Sequence, residues 1–344
     1  MFLGRSWVVI AVVITVLFGP VVGGVVPEIG AGGYAVAAGF AVLLLLSVLT
    51  HEAAHAVVAK LLGFTVHRIV ADFWGGHTAY QGKQDRPGPA ALVAFAGPAA
   101  NVALAVGGWV ALQGFDRGVV WLLLTAFASA NAFVGVFNLL PGLPLDGGFL
   151  LEALVWKATG RRSSGTLAAG WVGRVLVLGL LWWVLVLPLI RGGGLDLWRV
   201  AWASLIALFL WTGATRAVRA GAARRRFERT AIGSVWRRAS VVDAERPVDE
   251  PPWPSAEVWV VTDGSGAAVA LVDDVALQSV PATGRAATPV SAVAVRQPPG
   301  WVVDGAAEDS VLDVVSTMQT LQSPVVAIRT PEGSVSGVVF AQDL

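Results

Sequence analysis

His51-Glu52-Ala53-Ala54-His55 sets two imidazoles four residues apart, with a carboxylate directly after the first. On an α-helix residues i and i+4 share a face, so both rings can reach one ion while Glu52 turns beside the water that the ion holds. Zinc in such a site takes a third protein ligand and keeps a fourth position open, where water becomes nucleophilic near neutral pH. Glu52 is then placed to accept the water proton and return it to a leaving amine, which is the chemistry of peptide-bond cleavage. The surrounding run, 34–62, is almost wholly Ala, Val, Leu and Gly. It is long enough to cross roughly 30 Å of hydrocarbon as a helix. Ionisable groups are costly there and usually functional, which argues against two His and a Glu merely packed in a helical core.

A third ligand must come from another segment at similar depth. The candidate is Asp146 in Asn138-Leu139-Leu140-Pro141-Gly142-Leu143-Pro144-Leu145-Asp146-Gly147-Gly148, where prolines and glycines break a helix and free its backbone. By itself Asp146 also suits a helix cap. Asn138, about two turns earlier, could hydrogen-bond a substrate backbone or a developing oxyanion, or simply tie two helices together. His77 is a conceivable fourth ligand, but catalytic zinc keeps a position open, so His77 and His67 are read as loop residues.

The elements that must position these groups follow from composition. The chain has 344 residues, 56% hydrophobic and only 14% charged, with a net charge of +1 and a mean hydropathy of +0.70. That defines a polytopic α-helical membrane protein rather than a soluble domain. With no Cys, disulfides and thiolate ligands are excluded. Hydrophobic segments lie at about 7–26, 34–62, 89–112, 119–140, 169–190 and 197–218, each near the ~20 residues a spanning helix needs. The first is read as a retained helix, because no small-x-small cleavage site follows it promptly. Trp7, Trp109, Trp121, Trp198 and Trp202 sit near segment ends, as interfacial rings do.

If the amino terminus is cytoplasmic, the inner set holds Arg5, Lys60, Arg68, Lys83, Arg86, Lys157, Arg161, Arg162 and Arg224-Arg225-Arg226. The outer loops hold Arg117, Arg191 and Arg199. The positive-inside rule therefore places both termini in the cytoplasm and brings the histidine pair and Asp146 to similar depth. Between the second and third helices, 66–80 mixes β-branched residues with Gly75-Gly76 and predicts a short hairpin dipping toward the membrane.

After Arg229 the composition changes. Residues 1–221 form the membrane domain, 222–238 a basic juxtamembrane linker facing anionic headgroups rather than nucleic acid, and 239–344 a soluble α/β domain. Strands are expected at 257–262, 267–272, 302–303, 324–329 and 335–340, with an amphipathic helix at 310–321. Val258-Trp259-Val260-Val261 with Gly266, and Val325-Val326-Ala327-Ile328 with Gly333, read as an internal strand-turn-strand repeat.

Taken together, His-Glu-x-x-His in the second helix and Asn-x-x-Pro-x-x-Pro-Leu-Asp-Gly after the fourth resemble the site-2 protease family of intramembrane zinc metalloproteases. Phe73-Trp74-Gly75-Gly76 and Phe95-Ala96-Gly97-Pro98 resemble that family's membrane hairpin and its Ala-Gly-Pro turn. The resemblance implies one Zn2+ held by His51, His55 and Asp146, with Glu52 as general base; the Gly75-Gly76 pair suits a hairpin that holds an unwound substrate segment as an added strand. It implies regulated intramembrane proteolysis of a single-spanning protein such as an anti-sigma factor or a remnant signal peptide. A PDZ insertion, common in the family, does not fit the short connection at 113–118.

Residues 239–344 resemble a tandem CBS pair, a module that often binds adenine nucleotides. Phe340 stands where a hydroxyl residue is usual before the final Asp, and the chain stops at Leu344 without a closing helix. A structural or homodimerising role is therefore expected ahead of nucleotide sensing. A metal transporter or an inert scaffold would explain the ligands but not Glu52. The Gly97-Pro98 pair is read as helix packing or a kink.

Overall fold

Small residues, not large ones, decide how the helices of this chain meet. The computed structural model describes residues 2–3, 6–72, 75–81, 86–249 and 258–344, in two compact units, Met1–Ala222 and Ala223–Leu344. Among the described residues six helices are long and apolar enough to cross a membrane: Trp7–Val25, Pro27–Leu61, Pro87–Gly114, Val119–Asn138, Arg162–Ile190 and Leu197–Arg229. The chain is a multi-pass membrane protein.

Within these spans the helices are α1 (Ser6–Val25), α2 (Gly33–Leu61), α3 (Pro87–Ala111) and α4 (Val119–Asn138). They are followed by α5 (Asp146–Thr159), α6 (Arg162–Leu181), α7 (Leu187–Ile190) and α8 (Leu197–Arg229). One π-helical turn, Trp182–Val186, joins α6 to α7. Helix α2 packs on α1, α3 and α4, and α3 packs on α4 and α5. Lipid tails are as apolar as Leu, so these contacts rest on close backbone approach rather than hydrophobic exclusion. Ala37, Ala41, Ala56 and Ala59 line the buried face of α2. Gly108 of α3 lies against Ala128 of α4, and Gly135 of α4 against Asn101 and the Pro98 carbonyl.

Helix α5 was not anticipated from the sequence. Its polar residues hide it from a hydropathy window, yet they hold it in place: Arg162 Nε donates to Glu152 Oε1 at 2.7 Å, and Glu152 is buried. Gly160, at φ +70°, closes the helix in the left-handed region. Helix α6 begins at Arg162, well before the expected 169, because the Arg-Ser-Ser-Gly-Thr start is helical.

Strands β1 (Phe2–Leu3), β2 (Thr65–Asp72) and β3 (Gly75–Gln81) form a small sheet. β2 and β3 are the expected antiparallel hairpin, with Asp72 opposite Gly75 and Ala71 opposite Gly76. β1 adds a parallel pairing to β2. The hairpin packs on α2. Phe73 and Trp74 lie outside the described residues, as do the side chains of His67 and His77.

The stretch 222–238 carries secondary structure where a linker was expected: the end of α8, a 3-10 turn (Ile232–Ser234) and the start of β4 (Arg237–Asp243). Arg is a good helix former, so a run of arginines changes the solvent preference of α8 without ending it. The second unit is a seven-stranded sheet completed by β5 (Val258–Thr262), β6 (Ala268–Val272), β7 (Ala294–Arg296), β8 (Val302–Asp304), β9 (Val325–Arg329) and β10 (Val335–Phe340). Its order is β7-β6-β5-β4-β10-β9-β8.

The anticipated repeat is visible in this order. β4 runs parallel to β5, which pairs antiparallel with β6. β8 runs parallel to β9, which pairs antiparallel with β10. The two turns match, with Gly266 at φ +80° and Gly333 at φ +88°. Strand periodicity sends Val326 and Ile328 to one cluster, roofed by Val314 and Met318 of α9 (Leu312–Leu321), and Val325 and Ala327 to another.

Candidate active site

His51 and His55 fall on the buried face of α2, each 8% exposed, and Glu52 between them is 5% exposed. The His51 and His55 Nε2 atoms stand 3.1 Å apart. Asp146 Oδ2 lies 3.1 Å from His51 Nε2 and 3.5 Å from His55 Nε2. The ligand atoms of His51, Glu52 and His55 all lie within 4.8 Å of one another. The turn after α4 brings Asp146 here as the first residue of α5. Gly147 and Gly148 admit that turn, since a side chain on either would strike the backbone of Leu139 or Leu143.

Each imidazole is fixed from behind. His55 Nδ1 bonds the Val93 carbonyl at 2.6 Å. A carbonyl only accepts, so Nδ1 carries the proton and Nε2 is left with a free lone pair that can bind a metal. His51 Nδ1 bonds Asn101 Oδ1. Asn101 Nδ2 in turn donates to Asn131 Oδ1 at 2.8 Å and to Ser47 Oγ at 3.2 Å. Asn131 Nδ2 donates to the Phe127 carbonyl at 2.9 Å. All three partners are nearly inaccessible: Asn101 and Asn131 at 1%, Ser47 at 3%. The network joins α2, α3 and α4 and turns both Nε2 atoms toward Asp146.

Two imidazole nitrogens and a carboxylate oxygen converging this closely make a metal-binding donor set. Ligand atoms around tetrahedral zinc at about 2.0–2.1 Å stand roughly 3.3–3.4 Å apart, near the 3.1, 3.1 and 3.5 Å edges here. The residues present therefore fit zinc.

Gly97 is a site residue that the sequence presented only as packing. A Cβ there would fall on His55 Nε2 and within 2.6 Å of His51 Nε2, so α3 lies against the histidines only because residue 97 has no side chain. Asn101 and Asn131 were likewise missed. Asn138 ends α4, half-buried. Of the asparagines, Asn101 bonds His51 directly and Asn131 bonds Asn101. Gly75 and Gly76 open β3 in the hairpin that packs on α2.

In the second unit Arg237 grips Asp343 with both prongs, Nε to Oδ2 at 2.9 Å and Nη2 to Oδ1 at 2.8 Å. Its guanidinium carbon lies 4.9 Å from the centre of the Phe340 ring. The final Asp of the repeat is thus held by an internal ion pair, and the hydrogen bonds raise the Arg237 pKa.

A buried metal-binding donor set with an adjacent carboxylate, inside helices of membrane length, defines a membrane-embedded metallohydrolase. The chain matches the profile of Peptidase family M50 over residues 39–117 and 114–181. Rip3 of Mycobacterium tuberculosis, named as a zinc metalloprotease, is 31% identical over 330 residues, covering 89% of this chain and 79% of that protein. The Methanocaldococcus jannaschii zinc metalloprotease MJ0392 is 33% identical over 141 residues, 41% of each chain. Among solved structures, a site-2 protease from Methanocaldococcus jannaschii aligns at 26% identity over 60% of this chain and 88% of its own, with a TM-score of 0.42. A CBS-containing hemolysin-like protein of Oenococcus oeni aligns at 14% identity over 35% of this chain and 90% of its own, with a TM-score of 0.25. The chain belongs to the M50, site-2 protease family of intramembrane zinc metalloproteases.

Proposed function

We propose that this protease hydrolyses a peptide bond within or near the transmembrane segment of a single-spanning membrane protein, as the second cut of regulated intramembrane proteolysis. An anti-sigma factor or a remnant signal peptide fits this role. The observation that carries the reading is the convergence of His51 Nε2, His55 Nε2 and Asp146 Oδ2 beside buried Glu52. These three side chains hold zinc, which when bound supplies a Lewis acid for the scissile carbonyl and acidifies water.

Glu52 accepts the proton of the attacking water and delivers it to the leaving amide nitrogen. Asn101 and the Val93 carbonyl keep the two rings in the tautomer and orientation that face Asp146. A substrate helix has every backbone carbonyl satisfied, so its scissile segment must unwind before attack. The β2–β3 hairpin, beginning β3 at Gly75-Gly76 and packed on α2, receives the unwound segment by strand addition. Asn138 supports the substrate backbone from the end of α4.

The Ala-, Val-, Gly- and Arg-rich composition supports a bacterial cell membrane location, and the distribution of Lys and Arg supports both termini cytoplasmic. The basic end of α8 then meets anionic headgroups. The CBS-like domain, 239–344, has a structural or homodimerising role, supported by the Arg237–Asp343 pair that engages the carboxylate a nucleotide would need.

Wild type and Glu52→Gln, purified in detergent and incubated with model membrane-helix substrates, test the reading. Stoichiometric zinc in both with cleavage by wild type alone is expected. Zinc-independent cleavage, or equal cleavage by the variant, would overturn it, and metal transport surviving in Glu52→Gln would favour a transporter.

A further inference from the structure

Between Arg162 and Ile190, one membrane-length span, the sequence holds a single charged residue, Arg174. The metal site makes no use of it. Its guanidinium carbon lies 4.6 Å from the centre of the Trp171 ring on α6 and 5.5 Å from that of Trp211 on α8. Nη2 donates to Thr215 Oγ1 at 3.4 Å, at the long limit for a hydrogen bond. Nε is buried without a partner.

A guanidinium carries five N–H donors, and a cation left this under-satisfied in an apolar span is expensive. Aromatic faces help such a cation without supplying acceptors. The surroundings are not the protein interior: Trp171 is 55% exposed and Trp211 41% exposed, so the box opens toward lipid. Its level is set by α8, where Thr215 is followed directly by Arg216 and then Arg219, the beginning of the basic end of that helix. A long Arg stem reaches from there to the headgroups, the depth at which Trp rings collect.

The box also sits behind the turn that delivers Asp146. Gly173, next to Arg174, lies against the Leu143 carbonyl, and Leu143 N donates to the Ala169 carbonyl at 3.1 Å. The Pro144 ring rests on Gly213, midway between Trp211 and Thr215. Helices α6 and α8 therefore hold the 139–145 turn between them.

We propose that Arg174, boxed by Trp171 and Trp211, binds the phosphate of an anionic membrane phospholipid at the edge of the bilayer, bridging α6 and α8 behind the Asp146 turn. The lipid site stands on its own observations and does not depend on the roles given to His51, Glu52, His55 and Asp146.

The full-length protein and Arg174→Gln, delipidated in detergent, would be titrated with phosphatidylglycerol, phosphatidylcholine and inorganic phosphate and followed by native mass spectrometry. Bound zinc and the thermal midpoint would be recorded for each. Wild type should bind phosphatidylglycerol in preference to phosphatidylcholine, and Arg174→Gln should bind it roughly five- to tenfold more weakly with zinc unchanged. Should Arg174→Gln prove unfolded, Trp171→Leu removes one wall of the box and keeps the charge, and it should weaken phosphatidylglycerol binding in the same direction. Equal phosphatidylglycerol binding by wild type and the folded variant overturns the proposal. So does inorganic phosphate binding as tightly as the lipid, which would mark a free-phosphate site.

Discussion

The two units of this chain bury different balances of residue. In Met1–Ala222 the interior is mainly Ala and Gly with His, Glu, Asn and Ser, beside a smaller apolar cluster around Leu145, Val177 and Leu210, while Val12, Phe133, Leu154 and Trp183 face outward. In Ala223–Leu344 the interior is Val, Ile, Met and Trp, and among the described residues only Ser323 is a buried polar group. The difference is one of solvent. Where lipid surrounds the fold, large apolar side chains gain nothing by turning inward, and specificity falls to close backbone contact and buried hydrogen bonds. Where water surrounds it, apolar burial is the main driving force and a buried polar group is a cost. The catalytic chemistry sits in the unit whose interior can hold polar groups.

The sharpest way to break this comparison is at Gly97. Gly97→Ala should leave α3 in the membrane but push the imidazoles apart. Metal affinity should fall by more than the ~10–100-fold typical of losing an outer partner, with cleavage lost. Zinc measured after dialysis, beside an unchanged helical circular dichroism spectrum, checks this; retained zinc would show that the close approach is dispensable.

Next in size, Ile328→Ala in the seven-stranded sheet unit should cost about 2–5 kcal/mol by emptying a fully buried position. Phe133→Ala, at a position 67% exposed on α4, should stay within about 0.5 kcal/mol. Denaturation of both variants in matched detergent compares them, and equal costs would erase the distinction between the interiors.

Asn101→Leu removes the partner of His51 Nδ1 while roughly keeping volume. Zinc should bind about 10–100-fold more weakly, with Asn101→Asp recovering part of the loss. Competition with a chromogenic chelator measures it, and unchanged affinity would make the asparagine network purely a helix tie.

The smallest expected effect is in the β5–β6 turn. Asp263 is held below the ordinary carboxylate range by hydrogen bonds from Ser265 Oγ, Ser265 N and Ala267 N. A depressed folded-state pKa gives stability that is present above the unfolded value of about 3.9 and is lost as pH falls through the folded value. The gap in thermal midpoint between wild type and Asp263→Asn should therefore be constant near neutrality and close in acid. A gap that survived well below pH 3 would point to shape rather than charge.

Much of this was written in the chain itself. Spacing alone put His51 and His55 on one helical face. The length of the apolar runs set the six spans, because a bilayer demands about 20 consecutive apolar residues whatever they pack against. The Pro- and Gly-rich run ending at Asp146 marked a break in a helix, and Gly266 and Gly333 marked two equivalent turns. Local rules fix such features.

Only the tertiary structure decided the rest. Ser47, Asn101 and Asn131 sit on three helices, 30 to 84 residues apart, and nothing in their neighbourhoods marks them as partners. Gly97 reads as ordinary helix packing until the atoms above it prove to be the Nε2 atoms of both histidines. Helix α5 escaped because Glu152 and Lys157 dilute its apolar face, and Arg174 because a lone charge in a span has no meaning until its neighbours are known. Periodicity and hydropathy act along the chain; a hydrogen bond or a close approach depends on which distant residue the fold brings to the same place.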